Sequence, residues 1–289
     1  MASMRDIKRR RSSIQSTGQI TKAMKLVSTV KLQRTKQAAV NSKSYFDYMY
    51  RTVKSMLAKA GEINHPYVCG NDSNKKAVVM ITGNRGLAGG YNSNIVKLVT
   101  RSELNKEDLI IYPMGKKGRE AMLRYGYELA DDYSEMIDAP EYVDAMRLAS
   151  VLLNAYKAGE IGEIYLAYTN FKNTVVHEPK LMKLLPIDKQ DEIEGPVNEK
   201  EGPEAPMNFE PEEEEALNLI VPKYVTSIIY GGMIESVASE NGARMQAMDN
   251  ATTNAEEMID KLTLQYNRAR QGSITQELTE IIAGSQAQN

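Results

Sequence analysis

The sequence predicts an α/β fold carried on a long helical coiled coil: antiparallel N- and C-terminal helices with an open, mostly parallel α/β domain inserted between them. Three observations predict it. A stripe of apolar and small residues recurs in alternating steps of three and four near the C-terminus. A proline-free stretch of helical period opens the chain. Between them, short Val- and Ile-rich runs alternate with amphipathic segments.

The first element runs from about Ser3 to Ala60, with one internal glycine, Gly18, and apolar residues at helical spacing: Ile7, Ile14, Ile20, Met24, Val27 and Val30, then Tyr45, Met49, Val53, Met56 and Ala60. Unbroken, it is roughly 80 Å long at 1.5 Å per residue. Gly61 and the Asn64-His65-Pro66 run end it. Its seam is poor in the first half, where Arg10, Thr17, Thr21 and Ser28 fall at stripe positions. A rod that buries itself neatly has no such seam, so part of it is expected to sit inside another protein.

From Lys75 the period changes. Ala77–Ile81 is a buried strand entering the loop Thr82-Gly83-Asn84-Arg85-Gly86. Asn92–Leu104 reads as a helix, Leu109–Met114 as a strand, Lys116–Tyr125 and Ala139–Tyr156 as helices, and Glu163–Phe171 as a strand. That order predicts an open, mostly parallel, Rossmann-like sheet. The last pair, Tyr165–Phe171 and Thr174–Leu185, is joined by Lys172 and Asn173 alone and must be an antiparallel hairpin. Between Asp188 and Glu215 twelve carboxylates face only Lys189 and Lys200 among four prolines, the composition of a solvated connection.

The final element carries Met245, Met248, Thr252, Ala255, Ile259, Leu262, Tyr266, Ala269 and Ser273 as the seam of a coiled coil, extended backwards through Ile234, Ala238 and Asn241. From Glu213 to Ala283 it spans roughly 100 Å. Burying this seam against the first helix makes the two rods antiparallel. The division is thus a shaft helix over 1–61, an α/β foot domain over 75–210 with an acidic loop at 188–215, and a second shaft helix over 213–285.

Charge is segregated. The chain has 289 residues and a formal net charge of −2, yet from Met1 to Lys36 ten basic residues face Asp6 alone. The lone Cys69 makes no internal disulfide, and no apolar run near twenty residues stands out, so a cytosolic chain without direct membrane insertion is expected. His65 and His177 have no ligand-like spacing and read as loop or surface, so no metal or cofactor is expected. Around Gly83–Tyr91, Arg85 stands where a dinucleotide fingerprint needs its second glycine, no Lys-Ser or Lys-Thr follows, and the second strand ends at Met114-Gly115-Lys116-Lys117 without an acid for a ribose. The favoured reading is a tight turn that exposes Arg85 to a partner. A nucleotide-binding α/β protein with coiled-coil dimerisation arms is the alternative. A basic helix for nucleic acid or membrane fits poorly, since it lacks an aromatic and Leu face and the chain carries a strongly acidic stretch.

Three blocks carry a resemblance over the whole chain: I-T-K-A-M-K-L-V-S from Ile20 to Ser28; N-R-G-L-A-G-G-Y-N from Asn84 to Asn92; and A-R-M-Q-A-M from Ala243, A-T-T-N-A from Ala251 and Y-N-R-A-R-Q-G-S-I-T-Q-E-L-T-E-I from Tyr266. Together they are similar to the gamma subunits of F-type ATP synthases, departing from the family's usual residue at Asn84, where Asp is common, and at Ser285, where Ala is. The resemblance implies a non-catalytic central-stalk rotor. Its shaft enters the ring of alpha and beta subunits and its foot rests on the epsilon subunit and the c-ring, coupling proton flow to ATP synthesis on the cytoplasmic side of a bacterial membrane. It further implies that Met24, Lys25, Arg244, Gln271, Thr275 and Glu277 meet the catalytic ring, and it joins Arg85, Gly86 and Gly89 in the turn of the foot.

Overall fold

The computed structural model describes residues 3–59, 65–187 and 213–286. The acidic run 188–212 and residues 60–64, where the sequence predicts the end of the first helix, lie outside the described residues. The chain divides into two compact units. One comprises Met1–Thr29 with Arg244–Asn289, the other Val30–Ala243. Both long helices contribute to each unit, as α1 covers Met4–Lys59 and α6 covers Glu213–Gln286.

The larger unit is built on a five-stranded sheet of order β3-β2-β1-β4-β5. The elements are α2 (Pro66–Cys69), β1 (Lys76–Ile81), α3 (Tyr91–Thr100), β2 (Leu109–Met114), α4 (Lys116–Arg124), β3 (Glu128–Leu129), α5 (Tyr142–Lys157), β4 (Glu163–Phe171) and β5 (His177–Leu185). β1 pairs in parallel with β2 and β4, β2 in parallel with β3, and β4 antiparallel with β5. The mixed sheet is as the sequence predicts. The hairpin connection is longer than two residues, because the Asn173 carboxamide oxygen accepts from the amides of Val175 and Val176 and holds the chain in a turn until His177. The helix after β1 ends at Thr100 rather than Leu104, where the Ser102 hydroxyl caps the Val99 carbonyl.

Alternation along the strands supplies two cores. Val79, Ile81, Ile164 and Leu166 join α5 and the first part of α6 on one face. Val78, Met80, Ile111 and Ala167 join α3 and α4 on the other. Leu217, Val221, Val225, Ile228, Ile229 and Met233 of α6 are all buried. α6 also contains an 18-residue window of mean hydropathy 1.2, long and apolar enough to cross a membrane by length and composition, of which 61% is buried inside the protein. The sequence reading had not singled out this run, and its apolarity serves the core.

His65 is buried rather than on the surface. It caps α2, its Nδ1 accepting the Tyr67 amide at 3.2 Å, because a helix opening with Pro66 needs an acceptor at that end. His177 has both ring nitrogens buried, stacks on Phe171 and lies against Gly242 of α6, where a Cβ would come within 2.7 Å of the ring. Burial holds its pKa below the usual 6.5, against a backbone hydrogen bond to Thr174 that favours the cation. Below pH 6.5 the unfolded chain therefore takes up a proton that the folded chain resists. Stability falls as pH drops from 6.5 toward the lowered value and levels off beyond it. Urea unfolding at pH 7.5 and 5.5 checks this, and in His177→Phe the dependence over that window should flatten.

At the amino ends of the strands Glu163 binds Lys76 at 2.8 Å and Lys183 at 2.7 Å and accepts from the Tyr165 hydroxyl at 2.9 Å. Burial opposes its ionisation, but the hydrogen bonds from Lys183, Lys76 and Tyr165 prevail and bring its pKa down to about 2. Glu163→Gln leaves two half-buried ammonium groups without their counter-charge, and we expect a loss of about 2 kcal/mol, between the values for exposed and buried pairs. The loss should be full at pH 7 and shrink below pH 4.5, where the carboxylate of the unfolded chain takes up a proton that the folded chain resists, down to the native pKa of about 2.

Candidate functional site

Within the smaller unit the two helices run antiparallel in close register. The Thr21 and Thr252 hydroxyls share a hydrogen bond of 2.8 Å, Lys25 Nζ reaches Asp249 at 2.6 Å, and the Arg11 guanidinium lies 5.7 Å over the Tyr266 ring. A Cβ on Gly18 would sit 3.3 Å from that of Ala255. The seam of α6 is as predicted: Met248, Ala255 and Leu262 are buried and Thr252, Ile259, Tyr266, Ala269 and Ser273 partly so.

The seam of α1 differs from the sequence reading. It follows Ile7, Arg11, Ile14, Gly18, Thr21, Lys25 and Ser28, strictly in steps of four and three. Arg11 and Gly18 occupy the places assigned to Arg10 and Thr17. Ile20, Val27 and Val30, read as stripe residues, are 60%, 58% and 52% exposed. The physical reason is spacing: Gly18 and Thr21 let the two backbones approach, and Ile20, Val27 and Val30 fall outward while Ile7 and Ile14 stay in the seam. The seam thus mixes apolar and polar residues, with the Thr21 and Thr252 hydroxyls satisfied within the pair and by carbonyls one turn back.

The six shaft residues fall into two groups. Met24, Lys25 and Arg244 are partly buried, and Lys25 is held by Asp249, a partner the sequence reading missed although Asp249 follows the seam residue Met248. Gln271, Thr275 and Glu277 are exposed. The Thr275 hydroxyl donates to the Gln271 carbonyl at 2.9 Å, and Glu277 accepts from Ser273 at 3.4 Å. The structure does not bring the two groups together, since 27 residues of helix between Arg244 and Gln271 correspond to roughly 40 Å. Extending the register from Thr21 and Arg11 puts the start of α1 near Ala269–Ser273. Every residue from Ile274 to Ser285 is exposed, including Leu278, Ile281 and Ile282.

In the larger unit Arg85, Gly86 and Gly89 form an exposed turn after β1, with Leu87 at φ 63° and 63% exposed and Gly89 at φ 55°. A leucine in the left-handed region costs of order 1 kcal/mol and persists only where its surroundings enforce it. Here the Gly83 amide donates to the Asn92 side chain at 2.8 Å and Asn92 donates back to the Arg85 carbonyl at 3.3 Å, closing the loop. Asn84 donates to the Ser134 carbonyl and accepts the Lys116 amide, a double role that an ionised Asp, with no donor, could not fill.

The place where an open α/β sheet would take a nucleotide is filled by protein. Of the first amides of α4, Lys116 is bound by Asn84, Lys117 by the Gly83 carbonyl and Gly118 by Thr82 Oγ1. At the carboxyl ends of β1 and β4, where strand order reverses, α6 crosses. Ser236 Oγ accepts the Thr169 amide, Ser239 donates to the Thr169 carbonyl, and the Glu240 carboxylate abuts Gly83, where a Cβ would lie 2.5 Å from it. A phosphate there would meet a carboxylate and occupied amides.

The family model described as ATP synthase matches residues 3–287. A protein of Lachnoclostridium phytofermentans named ATP synthase gamma chain is 63% identical over the full length of both chains. One of Acetobacterium woodii, named ATP synthase gamma chain, sodium ion specific, is 40% identical over 99% of each. Among solved structures, a chain of the central stalk and c-ring of the Tetrahymena thermophila mitochondrial ATP synthase aligns with 80% of this chain and 99% of its own, at 25% identity and a TM-score of 0.57. A chain of the Euglena gracilis mitochondrial enzyme, 19% identical, aligns with 98% of this chain and 94% of its own at a TM-score of 0.66 and shares its fold.

Proposed function

Because the chain belongs to the ATP synthase gamma family, we propose that it is the non-catalytic central-stalk rotor of a membrane-associated ATP synthase, turning within a ring of alpha and beta subunits while its foot rests on the epsilon subunit and the c-ring. The observation that carries this reading is the outward face of the shaft. A coiled coil that served only itself would turn its aliphatic residues inward. Here Ile20, Leu26, Val27 and Val30 of α1 and Met258, Leu264, Ile274, Leu278, Ile281 and Ile282 of α6 stand exposed around a seam in which small and hydroxyl residues interrupt the aliphatic ones. Such a surface suits a close-fitting apolar sleeve.

Met24, Lys25, Arg244, Gln271, Thr275 and Glu277 then meet the beta subunits at two levels, and Arg85, with Gly86 and Gly89 shaping its turn, is exposed to a partner. The chain transmits torque and does no chemistry. The coupling ion is selected elsewhere in the complex, and the motor attaches to the cytoplasmic face of the membrane through its partners. Affinity purification of the tagged chain from native membranes tests this. ATP hydrolysis in the eluate with alpha, beta and epsilon subunits, and none with the isolated chain, is the expected result. The chain recovered alone, or as a homodimer binding a nucleotide, would refute it.

The exposed basic residues of the first turns serve as a mobile, direction-tolerant attraction toward acidic loops of the ring. Arg11 is excluded from that role, being engaged with Tyr266. Replacing Arg9 and Arg10 by Gln is expected to slow assembly and to flatten the salt dependence of ATPase activity, read from 50 to 300 mM salt, with the folded chain unchanged, since both side chains are exposed.

A further inference from the structure

The foot carries a sheet edge built to accept another strand. Of the two edges, β3 is two residues long and β5 is nine. Thr169 of β4 turns its amide and carbonyl toward Ser236 and Ser239 of α6, so it and its cross-strand partner Pro179 form a pair without mutual hydrogen bonds. Pro179, which has no amide to offer, thus faces away from β4, as a proline in a sheet must. By alternation the N–H and C=O groups of Leu181 and Lys183, opposite Ala167 and Tyr165, point the same way, off the open edge.

Alongside that edge runs α3, and between the two lies a groove of about 510 Å³. Pro179 and Leu181 form one wall and Leu98 the other, with Lys97 and Arg101 at the helix side and no carboxylate among the lining residues. Among the described residues no strand pairs with the outer side of β5, and a nine-residue edge of that kind is a liability unless covered. A helix set beside an open strand, with apolar walls and a cationic rim, is the geometry that receives an extended peptide by strand addition.

We propose that the β5 edge and the α3 groove bind an acidic β-strand supplied by another polypeptide of the assembled ATP synthase. The strand hydrogen-bonds to Leu181 and Lys183, seats one apolar side chain against Leu98, Pro179 and Leu181, and sets a neighbouring carboxylate on Lys97 and Arg101. This rests on the rotor reading for the source of the strand. Residue-resolved hydrogen exchange compares the purified complex with the isolated chain. The Leu181 and Lys183 amides should exchange at least about tenfold more slowly in the complex, and that protection should be lost in a complex carrying Lys97→Glu and Arg101→Glu. Equal exchange in the complex and the free chain, protection indifferent to the charge reversal, or slowing confined to the α3 amides, as a docked helix would give, would overturn the strand. A chain that never co-purifies with alpha and beta subunits would instead sink the rotor reading, so the two failures are separable.

Discussion

Gly18→Leu is expected to stop the shaft from closing and to reduce recovery of the assembled complex by an order of magnitude or more, with the sheet of the foot intact. The α1 and α6 backbones come so near at this point that a Cβ on Gly18 would already stand 3.3 Å from Ala255. The three further carbon atoms of leucine have nowhere to go except between the helices. Overpacking of this kind costs about 1–3 kcal/mol in a core that can adjust. Here the polar contacts that fix the register, Thr21 with Thr252 and Lys25 with Asp249, lie within the next two turns and would be pulled apart together. The yield of complex from membranes, with near-UV circular dichroism of the isolated chain as a check on the foot, measures it. Gly18→Ala, which asks only for a few tenths of an ångström, should assemble.

Gly115→Ala is expected to unfold the foot, a loss of more than about 4 kcal/mol. Gly115 joins β2 to α4 at φ 133°, a conformation closed to L side chains, and a Cβ there would overlap the carbonyl and hydroxyl of Thr82. That threonine is the pin of the carboxyl end of the sheet. Its amide donates to the Met114 carbonyl, and its hydroxyl donates to the Gly115 carbonyl and accepts the Gly118 amide. Moving it opens β1 from β2 and uncaps α4 at once. Urea unfolding gives the midpoint directly. Gly86→Ala, where an added Cβ would meet nothing within 4 Å, is the control and should cost little.

These two glycines mark what the sequence could and could not convey. The strands β1 and β2 were legible to within a residue because each is a short run rich in Val, Ile or Leu, β4 because its apolar and tyrosine residues are too short a run for a helix and lead into a turn, and the α6 seam because its period holds through four heptads. The α1 seam was misplaced because it was sought among aliphatic residues. A one-residue change, from Arg10 to Arg11 and from Thr17 to Gly18, separates the surface that pairs from the surface left outside. Nothing in the α1 sequence alone states how close its partner will come. β3 and the cap on α2 went unseen because two residues of strand and four of helix have no period. In the candidate site the resemblance supplied Met24, Lys25, Arg244, Gln271, Thr275 and Glu277, whereas Asp249 as the partner of Lys25 needed the antiparallel register.

The filled crevice at the end of the sheet connects fold to function. In an open α/β domain that position takes a ligand. Here α6 itself occupies it, with Glu240 against Gly83 and two serines on Thr169. The helix of the shaft is thereby tied to the sheet by serine hydroxyls bonded to the Thr169 backbone, which anchors a torque-bearing element.

The claim that this chain is a rotating shaft is tested most directly by watching it turn. Cys69, its only cysteine, is exposed in α2 of the foot and offers a native attachment for a gold particle. With the catalytic ring of the purified complex fixed to a surface, sustained rotation in one direction on addition of ATP, ceasing when ATP is withdrawn, is the predicted result. ATP hydrolysis at full rate while the particle on Cys69 shows only random motion would contradict it.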